Sequence, residues 1–481
     1  MTRAGPNLCD DPARLAQRVE EALAWCHATH ATHRCFAQIL DAQARDDATR
    51  VAHALREGHE LPLAGLLFTA KENLCVRDVE TTAGSRILAG YRPPIDAIAI
   101  ARLRAQGAIL IATTVMDEFG FGSFCVNVHD GRTPPAHPTD PSRVTGGSSG
   151  GAGVAAALAP FPHIALGVST GGSIENPAAY CGVIGYCPTY GAIPRTGLIS
   201  YADSLDKIGA LTRDTDLLAR VLPHVYGPDG QDATVPAARI DLTAAAPARL
   251  RIGIVTETLT DVALAVRDRI GLLTRRLQDA GHTVTGIQLP LTRAIGVPTY
   301  YIIATSEAST NLARYSGLRY GAQEDPTGET FLAHATRART AGFGTEAKRR
   351  VLLGTFARTA GYRDAYYRKA SELRDAIRAE HDTAFASCDI LLTPTMPDVA
   401  PTREESAAMS PAHAYLMDAL TVAPNLIGVP HASFPVGEKD GLPLGAMAMA
   451  AHGKDATLLA FLRIAHGLLD DSDQHTGGDP R

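Results

Sequence analysis

The stretch AIAIARLRAQGAILIAT at residues 97–113 decides the fold class. Residues 97–106 mix Ala, Ile, Leu and Arg in the manner of a helix, and Gly107 closes it. Residues 108–113 then read as a strand. Helix, glycine, strand is the rhythm of a layered α/β protein. The rhythm continues outward in both directions. Upstream, residues 11–40 and 44–56 read as helices, and 61–70 as a buried strand bounded by Pro62 and Gly65. Downstream, residues 152–158 read as helix, 164–167 as strand and 214–221 as helix. A second such run follows, with a strand at 251–255, a helix at 261–280 stopped by Gly281, and a strand at 282–289. Residues 389–392, 432–436 and 444–449 read as strands and 456–468 as helix. The polar tail, DDSDQHTGGDPR, reads as frayed.

These elements predict an α/β chain with a single core. An N-terminal helical segment spans residues 1–60, and a first part of the core spans 61–222. Residues 223–249 are polar and irregular and read as a linker or surface insertion. The second part runs over 250–481, with peripheral helices at about 295–377.

The composition excludes several classes of function. The chain has 481 residues, of which 45% are apolar and 20% charged, so it can bury a sizeable core. A net charge of −6 gives no polybasic surface and argues against direct nucleic-acid binding. Eight cysteines without CxxC spacing indicate neither a disulfide scaffold nor a zinc ribbon, and a reducing, cytoplasmic setting is expected. No run of 18 apolar residues predicts a membrane span. No HExxH or other ligand spacing predicts a metal, and no cofactor motif is present: the Walker lysine and the GxGxxG fingerprint are both missing.

What stands out is a pair of Gly/Ser turns, GGSSGGAG at 146–153 and STGGS at 169–173. Clustered glycines need a reason, such as close backbone approach or a nest of N–H groups for an anion. Such a turn can expose a serine to a developing oxyanion. Flexible turns would read the same way. Lys71 ends an apolar strand, where a desolvated lysine can act as a base, although a strand-end lysine can also reach solvent. His129, His137 and His163 lie near the turns but carry no defining motif. Asp117 and Glu118 form a weak candidate acid/base pair, because adjacent side chains often point apart.

Several stretches together resemble the amidase signature family. They are AKENL at 70–74, DEFGFGS at 117–123, DPSRVTGGSSGG at 140–151, GVSTGGSIENPA at 167–178 and YGAIPRTGLISYADSLDKIGALTR at 190–213. Within the family, the chain looks most like the A subunits of glutamyl-tRNA(Gln)/aspartyl-tRNA(Asn) amidotransferases. That likeness rests on residues 300–321, 342–370 and 415–430. The resemblance implies an α/β/α core with a mixed β-sheet covered by helices. It also implies a Ser-Ser-Lys triad: nucleophile Ser173, bridging Ser148 preceded by a cis peptide, and base Lys71. A count of spacing would also admit Ser149 as the bridge. Backbone N–H groups of Thr170, Gly171, Gly172 and Ser173 are the implied oxyanion hole. Arg350 and Asp418 are the implied clamps for the carboxylate and ammonium of a glutamine-like substrate, with Tyr300 or Tyr301 beside them.

The chain also departs from the family pattern. Ser169 stands where the family usually has Asp, and Glu175 where it usually has Arg, so an expected ion pair near the nucleophile is gone. Val126 stands where the A subunits have the Glu of an ammonia gate. The leading expectation is therefore a serine amidohydrolase acting on a small carboxamide. The alternatives are an ammonia-supplying subunit with a synthetase-like partner, an amide acyltransferase, or a non-catalytic binding scaffold. Oligomeric state is not readable from these residues.

Overall fold

The computed structural model describes Leu8, residues 11–322, Asp325 and residues 327–470. The expected frayed tail lies outside the described residues from 471 onward. Eleven strands are described: β1 Phe36–Ile39, β2 Leu67–Lys71, β3 Ile109–Thr114, β4 His163–Ser169, β5 Ile184–Cys187, β6 Lys207–Thr212, β7 Arg251–Val255, β8 Thr283–Ile287, β9 Ile390–Pro394, β10 His431–Lys439 and β11 Leu442–Met449. They form one sheet in the order β1-β3-β2-β4-β6-β5-β10-β11-β9-β7-β8. The sheet is mixed. β3, β2 and β4 run parallel to one another, as do β9, β7 and β8, and the pairings from β4 through β6, β5, β10 and β11 to β9 are antiparallel.

β2, β3, β4, β6 and β9 are buried along their whole length, as strands covered by helices on both faces must be. Strand alternation then assigns each residue to a face. Phe68 and Ala70 pack into the main core with Ile164, Leu166 and Val168. Leu67 packs on the opposite side with the helices Leu15–His33, Asp41–Arg56 and Gly150–Leu158. Lys71 shares the parity of Leu67, so it lies on the face that carries the helix Gly150–Leu158. The same parity puts Cys187, Lys207 and His431 together beneath the helix Glu175–Cys181. Leu211 and Cys187 mark that face, whereas Ile208, Ala210, Ala432 and Phe434 point the other way.

Three local readings need correction. The first helix stops at His33, where Arg34 takes a left-handed φ of 53°, and an edge strand follows that pairs antiparallel with β3. A non-glycine residue in that conformation leaves no signal in the sequence. The strand expected over 61–70 begins only at Leu67, because residues 61–66 form turns closed by Ala64 N–H to Leu61 and Leu66 N–H to Leu63. β5 and β6 have no counterpart among the expected strands, since each is short and interrupted by glycine. Those glycines are required by close packing: a Cβ on Gly209 would sit 2.2 Å from the Tyr186 carbonyl oxygen.

Residues 226–250 contain no helix or strand. The helical region expected near 295–377 is present as Pro290–Asn311, Phe331–Gly342, Thr345–Arg358 and Lys369–Ser387. The first and third of these carry the tyrosine pair and Arg350. They touch at Gly354, where a Cβ would lie 1.8 Å from the Thr305 carbonyl oxygen. Gly354→Ala is expected to force the two helices apart and to lower stability by about 1–3 kcal/mol, read by denaturant titration. An unchanged midpoint would contradict this packing.

Candidate active site

The end of β2 and the two Gly/Ser turns meet at one point. Lys71 is 1% exposed, and its Nζ donates to Ser148 Oγ at 2.7 Å and to the Val168 carbonyl at 3.1 Å. The Gly147–Ser148 peptide is cis. Ser149 points elsewhere: its Oγ donates to Val168 O at 3.3 Å, and its N–H donates to Ser173 O at 3.1 Å. The geometry thus brings Ser148, not Ser149, to the lysine. Burial pushes the Lys71 amine down to about 8, so a neutral amine is accessible near neutral pH.

Ser173 ends the second turn, between β4 and the helix Glu175–Cys181, and is 7% exposed. The turn is held from several sides. The Thr170 hydroxyl donates to Asp206 at 2.7 Å, and Asp206 also accepts the N–H groups of Tyr201 and Ala202. Burial pushes the Asp206 carboxyl up to about 7. Thr421 donates to the Gly171 carbonyl at 2.8 Å. The Tyr300 ring lies so close to Gly171 that a Cβ there would be 2.3 Å from Tyr300 Cζ. The expected oxyanion donors divide into two pairs. The N–H groups of Gly172 and Ser173 donate inward to Ser169 Oγ at 3.3 and 3.1 Å, whereas those of Thr170 and Gly171 are not engaged by Ser169.

The expected clamp residues line the adjoining interior. Asp418 accepts hydrogen bonds from Ser123 at 2.9 Å, Asn176 Nδ2 at 2.9 Å and Tyr301 at 2.8 Å. Burial raises its carboxyl above the usual range even against those donors. Arg350 is buried; its Nε donates to Glu346 at 2.8 Å and its Nη1 to the Tyr201 hydroxyl at 2.6 Å. Its guanidinium lies 5.2–5.5 Å from the rings of Phe121, Tyr201, Tyr301 and Tyr415. Such an aromatic cage orients a cation. Tyr300 therefore packs against the Ser173 turn, while Tyr301 bonds Asp418 and stacks on Tyr415 at 4.2 Å. Sequence reasoning missed Asn176, Tyr201, Glu346 and Tyr415.

Among the weaker candidates, Asp117 adjoins the site, its backbone N–H donating to the Ser148 carbonyl at 3.2 Å. Asp117 accepts the backbone N–H groups of Cys125 and Asn127, and burial pushes its carboxyl up to about 6. Glu118 bonds Ser85 and the Gly344 N–H, so the two neighbouring carboxylates do not act as a pair. His163 contacts Thr69 and His137 contacts the Tyr180 carbonyl. Val126 is exposed, at 37%.

The chain is thus an α/β protein with a helix-covered mixed sheet and a buried lysine–serine pair beside a Gly/Ser turn. The chain belongs to the Amidase family, whose model matches residues 17–459. It is 40% identical over 436 residues to the glutamyl-tRNA(Gln) amidotransferase A subunit of Prochlorococcus marinus (strain MIT 9313), covering 89% of this chain and 88% of that protein. It is 41% identical over 468 residues to the corresponding A subunit of Chloroflexus aggregans, covering 95% and 93%. The crystal structure of the Thermotoga maritima A subunit matches with a TM-score of 0.74 and 28% identity, covering 95% and 94% of the two chains. A bacterial aryl acylamidase of the amidase signature family matches with a TM-score of 0.80 at 20% identity, covering 98% and 96%, which bears on the fold alone. The chain is accordingly an enzyme of amide bonds, an amidase or one subunit of an amidotransferase.

Proposed function

We propose that this chain is a serine amidohydrolase that cleaves the carboxamide of a small, glutamine-like substrate through an acyl-Ser173 intermediate. The observation that carries this reading is the 2.7 Å contact between buried Lys71 and Ser148 beside the Ser173 turn. Serine is a weak nucleophile until a base removes its proton. As Ser173 Oγ bonds to the carboxamide carbon, its proton passes to Ser148, and the Ser148 proton passes to neutral Lys71. The carbonyl electron pair moves to oxygen, where the N–H groups of Thr170 and Gly171 stabilise the charge. Collapse breaks the C–N bond, and protonated Lys71 returns a proton through Ser148 to the departing ammonia. Water then attacks acyl-Ser173 by the same relay run again, giving the acid and free Ser173. No cofactor or metal enters this scheme.

In the same reading, Arg350 receives the α-carboxylate and Asp418 the α-ammonium, with Tyr300 and Tyr301 shaping the space between. Asp418→Asn is expected to raise KM for L-glutamine by about 10- to 100-fold, the scale of a charge-assisted hydrogen bond. A simple aliphatic amide, which has no ammonium to lose, should respond less. Equal losses on both substrates would remove Asp418 from substrate recognition. The reading as a whole is tested by ammonia release from L-glutamine, L-asparagine and a panel of simple amides. Ser173-dependent release from any of them supports it, and silence across the panel from folded protein counts against free-standing hydrolysis.

A second reading is favoured by the near-40% identity to amidotransferase A subunits over about nine tenths of the chain. Here Ser173 would release ammonia for a synthetase-like partner that activates the acceptor acid and holds the ATP. Glutaminase activity that rises when such a partner co-purifies would select it. Acyl transfer to an amine uses the same acyl-serine and is separated from hydrolysis by product analysis. The proposed setting is the cytoplasm. Among the described residues no helix is long and apolar enough to cross a membrane, and the seven described cysteines are free and buried.

A further inference from the structure

A buried charged chain unused by this mechanism runs directly into the nucleophile turn. Ser169 Oγ donates its one proton to Glu175 Oε2 at 2.7 Å. Its two lone pairs accept the N–H groups of Gly172 and Ser173. The hydroxyl is thereby saturated, with one donation and two acceptances. Glu175 is fully buried and also accepts from the Ile174 N–H at 3.0 Å, from Asn425 Nδ2 at 2.8 Å and from His431 Nε2. On its other side, His431 Nδ1 lies 3.2 Å from Lys207 Nζ, and Lys207 also donates to the Val429 carbonyl at 3.1 Å.

His431 Nδ1 also lies 3.0 Å from the Val429 carbonyl, so the ammonium and a carbonyl meet at that nitrogen, while Nε2 faces Glu175. The result is a buried carboxylate and a buried ammonium joined through the imidazole that lies between them. A buried carboxylate without such compensation would be strongly disfavoured. Cys187 also reaches this cluster, and the ligand atoms of Glu175, Cys187 and His431 lie within 4.8 Å of one another. The adjacent Lys207 cation favours a charge pair over a metal cation at this place.

We propose that Glu175, charge-balanced by Lys207 through His431, is a positioning residue that fixes the nucleophile turn through Ser169. It rests on the reading of Ser173 as nucleophile but adds a new element to it. Where the family resemblance implies an Asp–Arg pair, this chain has a Ser–Glu link whose counter-charge comes from Lys207 on β6 through His431 on β10. The link aligns the N–H groups of Gly172 and Ser173 and so the direction in which Ser173 Oγ faces a substrate. Its loss is expected to lower kcat while leaving KM nearly unchanged, because neither Ser169 nor Glu175 reaches the clamp residues Arg350 and Asp418.

The test is a double-mutant cycle with Ser169→Ala, Glu175→Gln and the combined variant, on the full chain. Two readouts are used: kcat and KM for the best amide of the panel, and the rate of Ser173 labelling by a fluorophosphonate probe. Each single variant is expected to lose about 10- to 100-fold in kcat and in labelling rate, the scale of a small misplacement of a reacting group. The combined variant should lose little more than either single one, because both cut the same connection. Multiplying losses, a kcat within twofold of the parent in Ser169→Ala, or losses confined to KM would overturn the proposal.

Glu175→Gln could act by unfolding, so Glu175→Gln/Lys207→Met is included, which removes both charges at once. It should recover melting temperature relative to Glu175→Gln while kcat stays low; recovery of both would assign the pair a purely structural role. A parent chain that neither turns over an amide nor labels at Ser173 would overturn the nucleophile reading and this inference with it. A parent chain that labels at Ser173 yet hydrolyses no amide would count against hydrolysis alone, and the cycle would then be read by labelling.

Discussion

Replacement of Ser173 by alanine is expected to lower amide turnover by roughly four to six orders of magnitude, the range seen when a serine hydrolase loses its nucleophile. In the proposed mechanism the acyl intermediate forms on Ser173 Oγ, and the neighbouring serines are engaged elsewhere. Ser148 is committed to Lys71, and Ser149 Oγ is directed at the Val168 carbonyl. The fold should be untouched, because no side-chain hydrogen bond of Ser173 holds the turn. Its backbone does that, through its N–H to Ser169 and its carbonyl to the Ser149 N–H. The expected result is therefore a variant with the parent melting temperature and no ammonia release above background. Turnover within about tenfold of the parent would exclude Ser173 as nucleophile.

Lys71→Met should produce the next largest loss, about 10²- to 10⁴-fold in kcat, the usual contribution of a general base. Methionine preserves the buried stem and removes the amine. The pH dependence separates the base from a merely packed side chain. Lys71 must be neutral to accept a proton, and burial sets its folded value at about 8. In the parent chain, kcat/KM should rise with pH through about 8 and then level off, and this limb should vanish in Lys71→Met.

Linkage adds a second sign. The unfolded chain binds the lysine proton up to about 10.4, whereas the folded chain releases it near 8, so between these values the unfolded state holds more protons. The Lys71 contribution to stability therefore rises with pH across that window in the parent and is absent in the variant. A rate limb that survives in Lys71→Met would assign the titration to another group, with Asp206 the next candidate.

The residues that act locally were legible in the sequence. The two Gly/Ser turns are joined by one helix and one strand, Gly150–Leu158 and β4, and the β2–β4 pairing brings to them the lysine that closes an apolar strand 77 residues before Ser148. The helix-glycine-strand run at 97–113 likewise reported itself, because both periods are local. What could not be read depends on topology. Glu175, Lys207 and His431 meet because β6, β5 and β10 lie side by side, although β10 begins more than two hundred residues after β6.

Lys207, which opens the buried strand KIGALT, carries the same signal as Lys71 and could have been marked. Its partner could not. The ring cage of Arg350 draws on four separated segments, and no spacing rule connects Phe121 to Tyr415. The choice between Ser148 and Ser149 turned on side-chain direction within one turn, which residue types cannot specify. The missing Asp–Arg pair read in the sequence as a lost charge interaction. The structure contains a different one, with the acid on the helix and the base on the strands.

The most direct test of the central claim is to trap the acyl-enzyme. Full-length protein would be mixed with a slowly hydrolysed amide from the panel, quenched in acid within the first turnover, digested and mapped by mass spectrometry. The account predicts a mass increase equal to the substrate's acyl group on the peptide containing Ser173, absent in Ser173→Ala and accumulating as ammonia is released. An adduct on a different residue, or burst release of ammonia with Ser173 unmodified throughout, would contradict it.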